Sequence, residues 1–200
     1  MWPRTSFKRL VRFLAFMMTF LALGACEPHA AVQSSGDAIA KGLPMIEIKS
    51  SAFKAGDPIP VLYTEDGKNV SPPLDWSPAP EGTKRWAIIC DDPDAPRATP
   101  WVHWVIYDLP AETDSLREAI APKPLLDRPK GARQGRNSWA TVGYRGPAPP
   151  KGSGPHHYHF KIYAIDAAIK LEAGLDKASL LEKIRDHVIA EGDLVGTYQR

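Results

Sequence analysis

Twenty prolines in a chain of 200 residues rule out a mostly helical protein, because a proline inside a helix removes a backbone donor and clashes with the preceding turn. The prolines cluster with glycines in short polar stretches, "GDP", "EDGKNVSPP", "SPAPEGT" and "GPAPPKGSGP", which carry turn chemistry. Between them lie runs rich in β-branched and aromatic residues, and these predict strands over "MIEIKS", "IPVLYT", "RWAIICD", "WVHWVIYDL" and "HYHFKIYAID". One longer helix is expected near the end, in "DKASLLEKIRDHVIAEGD". Asp176 or Ser179 can cap it, Ser179 with Glu182 fits a capping box, Leu180, Ile184 and Val188 share a stripe, and Gly192 can close it. The segment "DSLREAIA" (114–121) reads as a shorter helical piece. The sum is a β-rich α+β single domain with peripheral helices.

The N-terminus reads as an address, not as fold. Arg4, Lys8, Arg9 and Arg12 precede an apolar run, "FLAFMMTFLALGA" (13–25), with no acid before Glu27. The run is short for a bilayer span and ends in small residues, the pattern of a secretory signal peptide. "LGAC" (23–26) resembles the lipobox of bacterial lipoproteins, with Cys26 as the lipidated residue and mature N-terminus. By the same resemblance Glu27 favours outer-membrane sorting. The expected organisation is therefore a lipoprotein-type signal peptide over 1–25, a flexible tether over 26–43 and a globular domain over 44–200, exported to the envelope and periplasmic. Simple cleavage that leaves a soluble exported protein is the alternative.

The chain has two cysteines. A lipidated Cys26 leaves Cys90 no disulfide partner, and Cys90 shares the parity of Trp86 and Ile88 in "WAIIC", which places it in packing. Stability must come from a core, and about 155 residues can bury enough apolar surface for one. The net charge of +2, with no basic cluster in the mature part, gives no reason to expect nucleic acid as a partner.

Chemistry concentrates in two places. "DDPDAPRATPWVHWVIYDLP" (91–110) sets an acidic, proline-stiffened turn directly before a histidine between two tryptophans. Alternation along a strand groups Trp101, His103, Val105 and Tyr107 on one face, and Asp92 or Asp94 could fold back onto His103. Taken alone, His103 reads first as a core histidine bonded to a backbone carbonyl. The second place, "GYRGPAPPKGSGPHHYHFKIYAID", joins a stiff glycine-rich loop to a strand with three histidines. Parity there sets His156, Tyr158 and Phe160 against His157 and His159, and the glycines would let loop amides approach a ligand. Trp76, Trp86 and Trp104 are expected in the core and Trp101 at a pocket.

These blocks, "DPDAP", "WVHW" and "GPAPPKGSGPHHYHF", resemble the signature motifs of the phosphatidylethanolamine-binding protein family. The likeness is to its bacterial branch, often labelled Raf kinase inhibitor-like, and runs from about Lys49 to the end of the chain. The resemblance implies a large antiparallel sheet packed on a smaller one with peripheral helices. It also implies a small anion pocket at Asp92, Trp101, His103, Pro149, Pro150, Gly152, His156 and Tyr158, with Asp94 and Pro96 structural in the turn. Val102 stands where animal members often carry another histidine, and the animal C-terminal helix has no clear counterpart.

The expected activity is non-catalytic binding of a phosphate-containing small molecule or lipid headgroup, with no cofactor and no metal. Asp92, Asp94, His103, His156, His157 and His159 form a metal-ligand list on paper, but parity splits them and no CxxC or HExxH spacing is present. A hydrolase using the same pocket is a weaker reading, since Ser153 lies outside any G-x-S-x-G elbow. An envelope protease inhibitor or other protein-interaction module is the remaining alternative, by fold analogy.

Overall fold

The computed structural model describes residues 42–200. The expected signal peptide, Cys26 and nearly all of the expected tether lie outside these residues. The strands are β1 (Ile48–Lys49), β2 (Leu74–Trp76), β3 (Arg85–Asp92), β4 (Trp101–Pro110), β5 (Ser115–Leu116), β6 (Arg133–Gln134), β7 (His156–Ile165) and β8 (Val188–Tyr198), with one α-helix, α1 (Lys177–Ile184). They form two antiparallel sheets, one of three strands in the order β1-β2-β5 and one of five in the order β6-β4-β3-β7-β8.

The large sheet is buried on both faces, and alternation along its strands assigns each side chain to one of two cores. Trp86, Ile88 and Cys90 of β3, Trp104 and Ile106 of β4 and Tyr158, Phe160 and Ile162 of β7 join Ile48, Leu74, Trp76 and Leu116 of the small sheet. The opposite face gathers Ala87, Ile89, Val105, Tyr107 and Tyr163 against Leu180, Leu181 and Ile184 of α1. Each fully buried large apolar side chain contributes about 1.5–3 kcal/mol by removal from water, so the two-sided burial of β3, β4 and β7 explains how the domain holds with Cys90 unpaired. The helix is fastened electrostatically as well, by Lys177 Nζ at 2.5 Å from the buried Asp91 carboxylate.

Three local expectations are corrected. "IPVLYT" forms a 3-10 turn over Val61–Tyr63, not a strand; Pro58 and Pro60, which lack N–H donors, flank the place where a ladder would begin. Residues 114–121 form no helix: Ser115–Leu116 pair with Asp75 and Leu74, which puts Leu116 into the core. The helix near the end stops at Ile184, passes through a 3-10 turn at Arg185–His187 and becomes β8. From Val188 onward burial alternates, with Val188, Ala190 and Leu194 inward, so the apolar period changes from helical to strand-like within one continuous pattern. Asp176 is the N-cap, its side chain accepting from Ser179 N at 2.9 Å; Ser179 is inside the helix and makes no capping box.

The outer edge of β8 is covered by the chain's own early segment. Ile46 N–H donates to Glu191 O, Glu191 N–H to Pro44 O, Gly56 N–H to Val195 O, and Ile59 N–H to Thr197 O. Residues 44–59 thus satisfy an edge that no complete strand pairs among the described residues.

Strand β4 is irregular in two places. Its ladder with β3 shifts register between Cys90 and Asp91 and again between Trp86 and Ile88. Each shift inserts one extra β4 residue, at His103 and within Tyr107–Asp108, and a bulge of this kind re-aims side chains.

Candidate ligand-binding site

The end of β3, the start of β4 and the start of β7 lie side by side, so Asp92, His103, His156 and Tyr158 converge although 66 residues separate the first from the last. All four are buried, with exposures of 3%, 2%, 4% and 0%. Asp92 works twice. Its Oδ1 accepts from Asp94 N (2.8 Å) and Ala95 N (3.0 Å), which closes the turn after β3. Its Oδ2 lies 2.8 Å from His156 Nδ1. Asp94 fastens the same turn to β7, accepting from His157 N at 2.8 Å and meeting His157 Nδ1 at 2.7 Å. Burial works against the Asp94 charge, but the His157 side chain and backbone N–H outweigh it and hold the carboxyl below its usual range.

The acidic turn therefore serves β7 histidines, not His103, which corrects the pairing expected from sequence. His103 Nδ1 instead lies 2.6 Å from the Arg145 carbonyl. The bulge also overturns the simple parity of β4. His103 packs edge-on against Tyr158 and Trp139, and Trp101 against Trp139, each pair with centroids 5.1 Å apart. His103 therefore shares the side of Tyr158, Trp104 and Ile106, not that of Val105 and Tyr107. The β7 parity holds: His156, Tyr158 and Phe160 face inward together, while His159 pairs with Asp193 at 2.7 Å.

Tautomers follow from the partners. A carbonyl only accepts, so His103 Nδ1 carries a proton; against the Asp92 carboxylate oxygen His156 Nδ1–H likewise donates. Both rings are left with Nε2 as the variable atom, a lone pair when neutral and a donor when charged. For His156 that atom lies 3.1 Å from Ser153 Oγ, whose own proton has the Pro150 carbonyl 2.8 Å away. Burial lowers the His103 pKa below its ordinary value, against the Arg145 carbonyl, which favours charge. Burial, reinforced by the negative Asp92, pushes the Tyr158 phenol far above its usual value, so it stays a donor. The Tyr158 hydroxyl is fully enclosed and reaches no partner at hydrogen-bonding geometry among the described residues, although the Asp92 carboxylate and the Ala148 backbone stand beside it as neighbouring hydrogen-bonding groups.

The rim comes from the loop before β7. Pro149 is buried and Pro150 and Gly152 are exposed. Gly146 N–H donates to Asn69 Oδ1 at 2.7 Å, Gly152 N–H to Arg200 O at 3.3 Å and Ser153 N–H to Pro150 O at 3.2 Å. These amides are consumed within the fold and do not supply the free donors expected of a glycine-rich loop. Pro96 is exposed in the turn, and Arg97 lies over the Trp101 ring at 5.4 Å. Sequence reasoning missed Trp139, which bridges Trp101 and His103, and Arg145, which holds His103 by its carbonyl and covers Trp139 with its guanidinium at 4.4 Å while pairing with Glu65. The available signal was the aromatic within "NSWATVGYRG" immediately before the loop.

Two concavities formed by described residues lie elsewhere. One of about 550 Å³ is lined by Pro58, Pro60, Val61, Pro155 and Tyr198; the other, of about 230 Å³, lies at the opposite end of β3 and β4.

Residues 49–199 match the family described as phosphatidylethanolamine-binding protein. The chain belongs to that family. A UPF0098 protein of Methanothermobacter thermautotrophicus is 44% identical over 155 residues, spanning 78% of this chain and 99% of the relative. The crystal structure of YbcL from Escherichia coli, described as a member of the mammalian PEBP family, has 32% identity and a TM-score of 0.73, covering 78% of this chain and 98% of that one. A PEBP homolog from Chlamydia trachomatis aligns with 36% identity and a TM-score of 0.70 over the same shares. The architecture of a five-stranded sheet packed on a three-stranded one is this family's fold, and family membership implies a ligand-binding module.

Proposed function

We propose that the chain binds, without catalysis, a small phosphorylated or phospholipid-headgroup-like anion at Asp92, Trp101, His103, Pro149, Pro150, Gly152, His156 and Tyr158. The observation that carries this reading is the buried Tyr158 hydroxyl, a permanent donor that no group of the described residues, Asp92 included, meets at hydrogen-bonding geometry, since such a group costs about 1–3 kcal/mol when left unsatisfied. Beside it stand the Nε2 atoms of His103 and His156, which become donors on protonation. Asp92 supplies the opposite charge and can orient His156 or meet an ammonium, which suits a zwitterion such as phosphoethanolamine. A hydrolytic reading would use Asp92, His156 and Ser153 in line, but the neighbouring Pro150 carbonyl competes for the Ser153 proton, and Ser153 and Gly152 N–H are both engaged.

An NMR titration of the full-length chain in non-ionic detergent tests the proposal. Phosphoethanolamine and inorganic phosphate should give saturable shifts of the His103, His156 and Tyr158 signals, with phosphoethanolamine preferred, and His103→Ala and His156→Ala should lose them. No shift at millimolar ligand would remove the assignment. Protonation adds a sign. His103 is held below its ordinary pKa in the free protein, and an anion at Nε2 raises it, so binding takes up a proton. Affinity for glycerophosphoethanolamine, a diester of constant charge, should therefore rise as the pH falls through the liganded pKa of His103, and level off below the free one. A flat profile would separate His103 from the anion.

We also propose the organisation read from the N-terminus: a lipoprotein-type signal peptide over 1–25, lipidation at Cys26, a tether to residue 43 and periplasmic display of the domain from the outer membrane. In a Gram-negative host the wild-type chain should fractionate with membranes after processing and Cys26→Ala should not. Identical behaviour, with the unprocessed chain left in the cytoplasm, would refute export and anchoring together.

A further inference from the structure

The second bulge of β4 organises a part of the molecule that the first site does not use. Asp108 has a left-handed backbone, φ 56°, a conformation that costs a non-glycine residue about 1–3 kcal/mol and that recurs where a side chain has to be aimed. The aim is toward cations. Asp108 Oδ2 accepts from Arg133 Nη1 at 2.7 Å, and Arg133 also reaches the Gly131 carbonyl at 3.3 Å. Burial pushes the Asp108 carboxyl above its ordinary value, while Arg133 and then Arg85 pull it back. Both guanidiniums are thus drawn to one carboxylate on the wall of the 230 Å³ concavity, where Lys130 and Lys170 join them.

The four cations come from three separate stretches of chain: the start of β3, the turn that leads into β6, and the segment after β7. Lys130 and Lys170 form no ion pair among the described residues, and Arg85 donates only to the neighbouring Lys84 carbonyl. A solvated charged face would spread such groups apart, because like charges repel. Here all four line one concavity, and the single acid among its lining residues is already engaged by Arg133. Ile169 and Leu171 give the concavity an apolar wall that lowers the local dielectric and strengthens any charge placed against it.

We propose that this basic concavity, at the Arg85–Pro110 end of the large sheet, is a second anion site that takes a compact phosphomonoester or diphosphate. Arg133, oriented by Asp108, and Arg85, which bonds the Lys84 carbonyl, form the wall, and Lys130 and Lys170 close over the ligand as mobile point charges. A multiply charged phosphate fits better than a carboxylate because the surplus of positive charge exceeds one. The phosphate can come from a free metabolite or from a lipid's glycerophosphate end, and the chemistry at the site is the same for both. The inference stands apart from the Asp92–Tyr158 reading, since β3 runs its full length between the two places.

The test is calorimetric titration of the full-length chain in non-ionic detergent with inorganic pyrophosphate in one arm and glycerol 3-phosphate in the other. Lys130→Gln/Lys170→Gln removes two exposed charges that touch neither the core nor the first site, so the variant should fold as the wild type does. Its dissociation constant for this site should rise about tenfold, and binding in the wild type should weaken steeply with added salt. His156→Ala, which disables the first site, should leave this binding in place. A preference for glycerol 3-phosphate would point to a lipid source, and a preference for pyrophosphate to a free one. Absence of saturation at about 10 mM ligand, a change of less than about threefold in the lysine variant, or complete loss in a folded His156→Ala protein would each overturn the proposal.

Discussion

Asp92→Ala is expected to be among the most damaging single substitutions in the domain, lowering stability by about 3–5 kcal/mol, the range for removing one partner of a buried pair. Several losses coincide. The carboxylate closes the turn through two backbone N–H groups and holds His156 at 2.8 Å, with both side chains almost sealed from water. Alanine leaves all three donors without an acceptor. Asp92→Asn separates the two tasks, because its amide oxygen can still accept from Asp94 and Ala95. Its NH₂ group would then face His156 Nδ1–H, and two donors cannot share a bond, so His156 must shift its proton to Nε2. Stability should fall by about 1–3 kcal/mol in this variant, while phosphoethanolamine affinity drops at least tenfold, or about 1.4 kcal/mol, because the carboxylate that would meet the ammonium is gone and the His156 proton now sits on the other ring nitrogen. Urea denaturation read beside the ligand titration distinguishes these effects. Wild-type affinity in Asp92→Asn would remove Asp92 from the site.

Gly146→Ala is the second large effect, and its cause is space. A Cβ at this position would lie 2.3 Å from the Tyr63 carbonyl oxygen and 2.8 Å from Thr64 Cα, all backbone atoms with no side chain that can yield. The glycine N–H also donates to Asn69 Oδ1 at 2.7 Å, so the loop cannot slide away without losing that bond. Overpacking of this kind costs about 3 kcal/mol, or roughly 10 °C in Tm for a domain of this size. The displaced segment carries Pro149 to Gly152 and the Arg145 carbonyl that holds His103, so binding should suffer with stability. Gly152→Ala is the informative contrast. Its φ is 79°, with nothing within 4 Å of an added Cβ, so only backbone strain opposes it, about 1–2 kcal/mol. Equal losses in the two variants would show that residue 146 has more room than its contact with Tyr63 implies.

The long strands were legible because their residues suit a sheet whatever their partners: "RWAIICD" and "HYHFKIYAID", seven and ten residues long, are rich in β-branched and aromatic side chains. β8 was not, because "VIAEGDLVGTY" carries acids and glycines and continues the apolar stripe of the helix before it; only pairing with β7 decides that residues after His187 are extended. The candidate site divides the same way. Asp92, His103, His156 and Tyr158 are named by motif, and parity correctly separated His156 from His157. Which acid meets which histidine was not readable, because a bulge at His103 arises between two strands and turns one side chain over without leaving a mark in either strand alone. Trp139 and Arg145 were hidden for a related reason: they act through a ring face and a backbone carbonyl, features that residue type does not announce.

The segment along the outer edge of β8 also bears on how one molecule can meet another. An eleven-residue strand at the margin of a sheet is a template for a foreign strand, and crowding on a surface would raise the local concentration of such templates. Here Pro44, Pro58 and Pro60 lie on the covering segment, and a proline offers no N–H to a newcomer. The covering chain therefore satisfies the edge on its inner side while presenting a poor ladder on its outer side. On this flank, growth of the sheet from one molecule into the next is closed off by the same few residues that join the domain to whatever precedes it.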